Sequence, residues 1–349
     1  MNIINMEGFR QIPESEDLYK QNASSDDFIR ALRARGVSIF SEFSGSPESV
    51  CRGSQTVNAV EYSGLLFTLN QGAWMRLQFP DVKKHAVQLG FRLTFSAGKK
   101  YTRALIGTPS SSLNVHHSDT EATSYYYEML IKYQGENSGY CDVELYCNRV
   151  LTEKNTFRYY AGSMYITLGN SHQIFHYGVT GTMMVGDMYC ATLPYGDEWR
   201  VEPSLLGSIE VMASPVLGFE GTQHVNTLGK DIVAGLNSGR EEDGYLSLRP
   251  VTQPAIIKFQ SPEVSGKKVI AVMTGVTYRS CSAPNNYLAW QVQQGNTAGS
   301  WHEELSPAAD PQDWSVVTET LHAPLEGGPG WGPENMNFSL KLFNKNRMN

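Results

Sequence analysis

The chain has 349 residues, 41% apolar and 18% charged, with 18 tyrosines and 32 glycines; this is the composition of a strand-rich globular protein and excludes a disordered chain. A formal charge of −7 without any basic run excludes a general phosphate-binding surface, so no nucleic-acid partner is expected. No apolar stretch reaches the roughly 20 residues of a membrane span, and the opening MNIINMEGFRQIPESE has neither the basic start nor the apolar run of a secretion signal, so neither membrane insertion nor export is expected.

Ile3 to Phe9 reads as a short opening strand. Ser24-Ser25-Asp26-Asp27, followed by Phe28, Ile29 and Leu32 and stopped by Gly36, predicts one short capped helix. Strands are then predicted at Val37–Phe43, Asn58–Thr68, Trp74–Phe79, Gln88–Phe95 and Ala104–Gly107, with Asn70-Gln71-Gly72 as a turn. The longest signal is Tyr125–Val150. Its first arm alternates Tyr127, Met129, Ile131 and Tyr133 against Tyr126, Glu128, Leu130 and Lys132. Its second arm alternates Cys141, Val143, Leu145 and Cys147 against Asp142, Glu144, Tyr146 and Asn148. Period two with aromatic and β-branched residues predicts half-buried strands. Gln134–Gly139 turns one arm onto the other, and Cys-Asn-Arg-Val closes a tighter turn. A ribbon with one apolar face needs a partner sheet, so it predicts a β-sandwich.

Further strands are read at Ser163–Leu168, Val185–Ala191 and Leu206–Met212, after which Pro215, Gly218 and Gly221 interrupt the pattern. The second half reads as strands at Tyr245–Leu248, Ala255–Phe259, Val269–Arg279, Tyr287–Gln293, Trp314–Thr318 and Asn337–Phe343. The expected architecture is therefore all-β, with two β-sandwich domains, residues 1–216 and 217–349, and one short helix near the N-terminus.

The order of motifs over nearly the whole chain resembles a group of tailed-bacteriophage virion proteins. The matching segments are Met6-Glu7-Gly8-Phe9, Leu89-Gly90-Phe91-Arg92-Leu93, Cys141 to Arg149 and Ile166-Thr167-Leu168-Gly169. Gly186-Asp187-Met188-Tyr189 and Leu206-Gly207-Ser208-Ile209-Glu210-Val211 follow, then Tyr245-Leu246, Ile270-Ala271-Val272 and Asp310-Pro311-Gln312-Asp313-Trp314. Asn148-Arg149 stands where Asp-Gly is usual in that group, and Gly186 replaces the first of two paired aspartates. The resemblance implies that the first domain is a concanavalin A-like (laminin G-like) jelly roll. It also implies a virion structural protein of the tail, baseplate, fibre or collar, made in the bacterial cytoplasm, repeated as a homo-oligomer and in contact with other phage structural proteins.

No catalytic residue is assigned. Asp142 and Glu144 lie two apart on one strand face, about 6.5 Å between Cβ atoms, near the roughly 5–5.5 Å of retaining glycosidases. Some glycanases on this fold carry Glu-x-Asp-x-x-Glu on one strand, and Tyr140 fills the first position here; the pair is read as a solvated strand face beside Tyr146. His116-His117 with Asp119 reads as a polar loop, because adjacent residues of extended chain point apart. His172 and His176 read as loop or strand edge. Asp187 and Asp197 flank a strand and a turn where concanavalin-like domains sometimes bind calcium, but that ion needs oxygen ligands from several loops, and Gly186 stands in place of the first acid of the pair. No metal and no cofactor are expected. Cys51, Cys141, Cys147, Cys190 and Cys281 read as reduced thiols; Cys141 and Cys147 share a face but stand about 20 Å apart on extended chain, beyond the ~7 Å of a disulfide. Trp290, Trp301, Trp314 and Trp331 gather in the second half. Trp301 and Trp331, the latter in the Gly-Pro-rich segment Gly328–Pro333, are the candidate glycan or partner contacts. The function expected is a non-enzymatic phage structural protein; the alternatives are a lectin-like receptor-binding protein reading host surface glycan, or a capsid decoration protein.

Overall fold

A computed structural model describes residues 1–14, 18, 24–44, 49–69, 74–78, 82–96, 102–106, 112–115, 121–135, 138–159, 165–169, 181–221, 224–226, 228, 231–238, 244–250, 253–279, 286–304, 314–328 and 330–346. The chain forms two compact units, one of Met1–Arg10, Glu14–Leu32 and Val37–Val211, the other of Gln11–Pro13, Arg33–Gly36 and Met212–Asn349. Among the described residues every strand pair is antiparallel, and the fold is an all-β sandwich.

The first unit holds β1 (Asn2–Glu7), helix α1 (Ser25–Ala34), β2 (Phe40–Ser44), β3 (Ser49–Val57), β4 (Val60–Leu69), β5 (Trp74–Gln78) and β6 (Ala86–Phe95). It continues with β7 (Thr102–Ile106), β8 (Ser112–Val115), β9 (Thr123–Tyr133), β10 (Tyr140–Cys147), β11 (Val150–Arg158), β12 (Tyr165–Gly169) and β13 (Gly181–Leu193). One sheet runs β11-β10-β9-β6-β13-β4-β3, with β1 added to β13; the other runs β2-β5-β12-β7-β8. The register follows the hydrophobic alternation. Val87, Ile131 and Val143 form one cross-strand row, and Leu89, Met129 and Leu145 the next. All six are buried, because a one-residue slip would turn each of them to the opposite face.

Helix α1 starts as its sequence dictates. Ser24 Oγ accepts the Asp27 N–H at 3.1 Å while the Asp27 carboxylate accepts the Ser24 N–H at 3.2 Å, a reciprocal cap. Gly36, at φ 82°, ends it. Asn58-Ala59 and Asn148-Arg149 have φ of 50°, 63°, 47° and 69°, and they make the two-residue turns of the β3–β4 and β10–β11 hairpins, where both central residues need positive φ. Asn58 is therefore a turn residue and not the start of a strand. β3, β8 and β11 were not anticipated; β11 (VLTEKNTFR) is an exposed edge strand whose sequence lacks a buried face.

The second unit holds β14 (Val216–Glu220), β15 (Val225–Asn226), α2 (Ile232–Ser238), β16 (Leu246–Ser247), β17 (Ala255–Phe259), β18 (Val272–Tyr278), β19 (Asn286–Gln294), β20 (Thr297–Ala298), β21 (His302–Glu304), β22 (Ser315–Leu321) and β23 (Phe338–Asn346). Its main sheet runs β14-β17-β23-β19-β20 with β21 beside β19, and β15–β16 and β18–β22 are separate pairs. Ile257, Trp290, Val292, Leu340 and Leu342 of the main sheet share one core cluster with Val276 and Leu321 of the β18–β22 pair.

Three expectations are corrected here. Val216–Glu220, read from its proline and glycines as an interruption, is the strand β14. Val269–Arg279 shortens to β18 and spans only a two-stranded ribbon. A second helix, α2, follows Asp231, whose Oδ1 accepts the Ala234 N–H at 2.7 Å.

Candidate functional site

The face of the first unit's large sheet that alternation marks as polar is buried in its centre, and the segment Tyr195–Val211 lies across it. This segment includes Leu206–Val211, which was expected to be a strand and has no strand partner. Tyr195, Val201 and Leu205 pack on Ala86, Leu130, Tyr146 and Leu193. Its backbone is bonded to side chains instead of to a ladder. Gln88 accepts the Ser204 N–H at 3.1 Å and donates to the Ser204 carbonyl at 3.0 Å. Glu128 accepts the Leu206 N–H at 2.8 Å and the Gly207 N–H at 2.9 Å. Arg149 donates to the Leu206 carbonyl at 2.6 Å, Arg92 to the Ile209 carbonyl at 3.2 Å, and Asp187 accepts the Val211 N–H at 3.0 Å. Buried backbone groups need such partners, and the sheet supplies them one side chain at a time.

The motif residues acquire physical roles from this strap. Gly90 is bare because a Cβ there would collide with the Tyr189 ring and meet Tyr126 Oη at 2.7 Å. Tyr189 Oη donates to Glu128 at 2.6 Å and accepts from Gln88 at 2.6 Å. Asp187, at φ 47° in a bulge of β13, receives Arg92 Nε at 2.9 Å. Its carboxylate is thus engaged by an arginine and a backbone amide. Arg149 occupies a turn position where glycine is usual because its guanidinium reaches the strap and lies over Gly207, itself at φ 75°.

Asp142 and Glu144 point to that same face, and the reading of them as a solvated face is corrected for Glu144, which is only 6% exposed. Glu144 receives Lys132 Nζ and Lys154 Nζ, each at 2.9 Å, and Tyr146 Oη at 2.7 Å. Burial pushes its pKa up, but the three hydrogen bonds outweigh that and hold it at about 2. Such a carboxylate has no proton to donate as a general acid. Asp142 Oδ1 accepts from Gln134 and Thr156, both at 2.7 Å. Cys51, Cys141, Cys147 and Cys190 are in no disulfide. Burial pushes Cys190 up to about 12 and raises Cys147, so neither is an activated nucleophile.

Beside the strap's start an open cleft of about 520 Å³ is lined by Lys132, Tyr133, Gln134, Asp142, Trp199 and Glu202, among others. Trp199 meets Tyr133 edge-on at 5.7 Å and Tyr195 at 4.8 Å. Tyr195 Oη donates to the Val82 carbonyl at 2.7 Å and accepts the Tyr133 N–H at 2.7 Å. Sequence reading missed Trp199; the Tyr195-Gly-Asp-Glu-Trp199 segment, which ends in a single 3-10 turn at Asp197–Trp199, carries no periodic signal.

The candidate tryptophans belong to the second unit. Trp301 is 46% exposed, tilted on Phe343 at 5.4 Å with Lys345 Nζ at 5.4 Å from its ring. Trp331 is half-buried against Phe338 at 6.0 Å, so its own unit covers part of it. Trp290 is a core residue bonded to Glu304, and Trp314 meets Tyr245 edge-on at 5.9 Å, with the Arg279 guanidinium 4.9 Å from both rings. His116, His117, Asp119, His172, His176, Cys281, Asn70–Gly72 and Asp310–Asp313 lie outside the described residues. Among the described residues no three His, Cys, Asp or Glu side chains gather as a metal set.

The class that fold and site define is an antiparallel β-sandwich protein whose large sheet is roofed by a side-chain-bonded strap. No family model matches the chain, and no curated protein does. Among solved structures it is similar to the alginate lyase Aly36B (9% identity, 41% of this chain and 87% of that one, TM-score 0.27). It is also similar to the PL-14 alginate lyase from Aplysia kurodai (9%, 55% and 100%, 0.33). A third is domain 4 of AbnA, a GH43 extracellular arabinanase from Geobacillus stearothermophilus, in complex with arabinotriose (13%, 55% and 94%, 0.29). TM-scores of this size assign no function.

Proposed function

We propose that the chain is a non-enzymatic structural protein of a tailed-phage particle, a tail, baseplate, fibre or collar component that meets neighbouring subunits through sheet edges and loops. The observation that carries this reading is the state of the ribbon carboxylates. Glu144 is locked ionised by two lysines and a tyrosine, and Asp142 is bonded to Gln134 and Thr156. Both serve the sheet. The ordered motifs supply the virion part of the reading. The edge strand β11 adds a surface that repetition by symmetry can cover, with Val150 66% and Leu151 50% exposed.

Mass spectrometry and antibody labelling of purified particles test the proposal, and the chain is expected in fixed stoichiometry. Particles that lack it overturn the reading. The purified protein is also expected to leave host polysaccharide chain length unchanged.

A further inference from the structure

The geometry points to the cleft beside Trp199 as a binding site for a short neutral saccharide, independent of the subunit contacts proposed above. Three observations carry it. The first is size and openness: about 520 Å³ lies within the roughly 300–1,000 Å³ of small-ligand sites, and the cleft is open at the surface, as a chain of sugar rings needs.

The second is chemistry. Its charges come in both signs, Lys132 and Arg200 against Asp142 and Glu202, so no net charge selects an ion. Asp142 uses Oδ1 for both of its described hydrogen bonds, which leaves Oδ2 to accept from a hydroxyl. The Gln134 amide donates to Asp142 through Nε2, which leaves its carbonyl to accept. The Trp199 indole N–H donates to no described protein atom. A ligand that offers several hydroxyls as donors and acceptors, and an apolar C–H face to an indole, matches this set; an apolar ligand does not.

The third is preorganisation. Trp199 is a non-glycine residue at φ 60°, a sparsely populated conformation that persists only where surroundings impose it. Here the ring is fixed between Tyr133 and Tyr195, with the bare Cα of Gly135 beneath it. An aromatic platform held in one pose loses less conformational freedom on binding.

The test is isothermal titration and saturation-transfer NMR on the full chain with maltotriose, cellotriose and triacetylchitotriose, and with trigalacturonate as an acidic probe. At least one neutral probe is expected to bind, with Kd on the order of 1 mM. Trp199→Ala is expected to abolish that binding, and Asp142→Asn to weaken it about tenfold. Asp142 is the second variant because its change leaves the aromatic packing untouched. Binding by no neutral probe, by trigalacturonate alone, or equally by parent and Asp142→Asn overturns the proposal. None of these results depends on whether the chain is found in a particle.

Discussion

Glu128 is the side chain on which the strap's attachment turns, and Glu128→Ala measures it. The carboxylate is 1% exposed and accepts four hydrogen bonds, from the Leu206 and Gly207 N–H groups, Tyr189 Oη and, at 3.4 Å, Gln88 Nε2. Truncation strands two backbone amides and a phenol, each at a cost of about 1–3 kcal/mol if it stays buried. The strap can lift to let water reach them, so the loss is capped by the free energy of docking the strap. We expect about 3–5 kcal/mol, the lower part of the range that three stranded neutral groups would give together. Glu128→Gln keeps one acceptor oxygen but turns an amide N–H₂ toward one of the two backbone donors, and it should lose about half as much. Because the chain has two units, a single unfolding midpoint is not informative. Hydrogen exchange of peptides covering Ala86–Leu93 and Ser204–Val211, followed against urea, reads the sheet and strap separately. In Glu128→Ala the Leu206 and Gly207 amides are expected to exchange at rates set by strap opening. If they stay as protected as in the parent while stability falls by less than about 1 kcal/mol, the carboxylate does not hold the strap and the reasoning fails.

Gly90→Ala should be among the most damaging single-methyl changes in the chain, because the new Cβ meets the Tyr189 ring and Tyr126; about 3 kcal/mol or more is expected in urea unfolding. Arg149→Gly should stay within about 1 kcal/mol of the parent, since relief of the φ 69° turn offsets the lost bond to the Leu206 carbonyl, yet Leu206 and its neighbours should exchange faster. Glu144 has its pKa lowered to about 2 from 4.5, so its stabilisation is complete above pH 4.5 and is lost as pH falls toward 2. Discounted because Lys154 is half exposed, this amounts to on the order of 1–2 kcal/mol, and Glu144→Gln should flatten that limb of an acid-unfolding profile. Trp301→Ala should change stability by less than about 1 kcal/mol, because much of the ring already faces solvent.

Alternation along β6, β9 and β10 sufficed to place the central ribbon and its core-facing residues, since burial of one face leaves a period-two trace. The capped start and glycine stop of α1 were legible for the same local reason: serine and aspartate at the cap and glycine at positive φ act within a few residues. Edge strand β11 was not legible, because a strand with solvent on most sides has no face to hide and reads as loop. Nor was β3, whose hairpin turns on Asn58-Ala59 without the glycine that usually marks such a turn.

The misreading of the polar face has a different origin. Alternation tells a strand which of its faces is apolar, but it does not tell whether the other face meets water. Gln88, Arg92, Glu128, Glu144 and Asp187 look like solvated residues in sequence, yet each is buried. Their partners lie 24 to 117 residues away on the strap in all but one case, Glu144, whose partners are on its own ribbon. A trace of this does exist in the chain. Gly90 and Arg92 stand between Leu89, Phe91 and Leu93, and a bare glycine on the supposedly wet face makes sense only if something large lies across it. The strap in turn reads as a strand because Leu206, Ile209 and Val211 resemble one, while its small residues at 204, 207 and 208 leave room for side chains to reach the backbone. A segment bonded by side chains instead of by a ladder therefore keeps a strand's composition and gives up its pairing, which is why Leu206–Val211 was assigned to the sheet and is found on top of it.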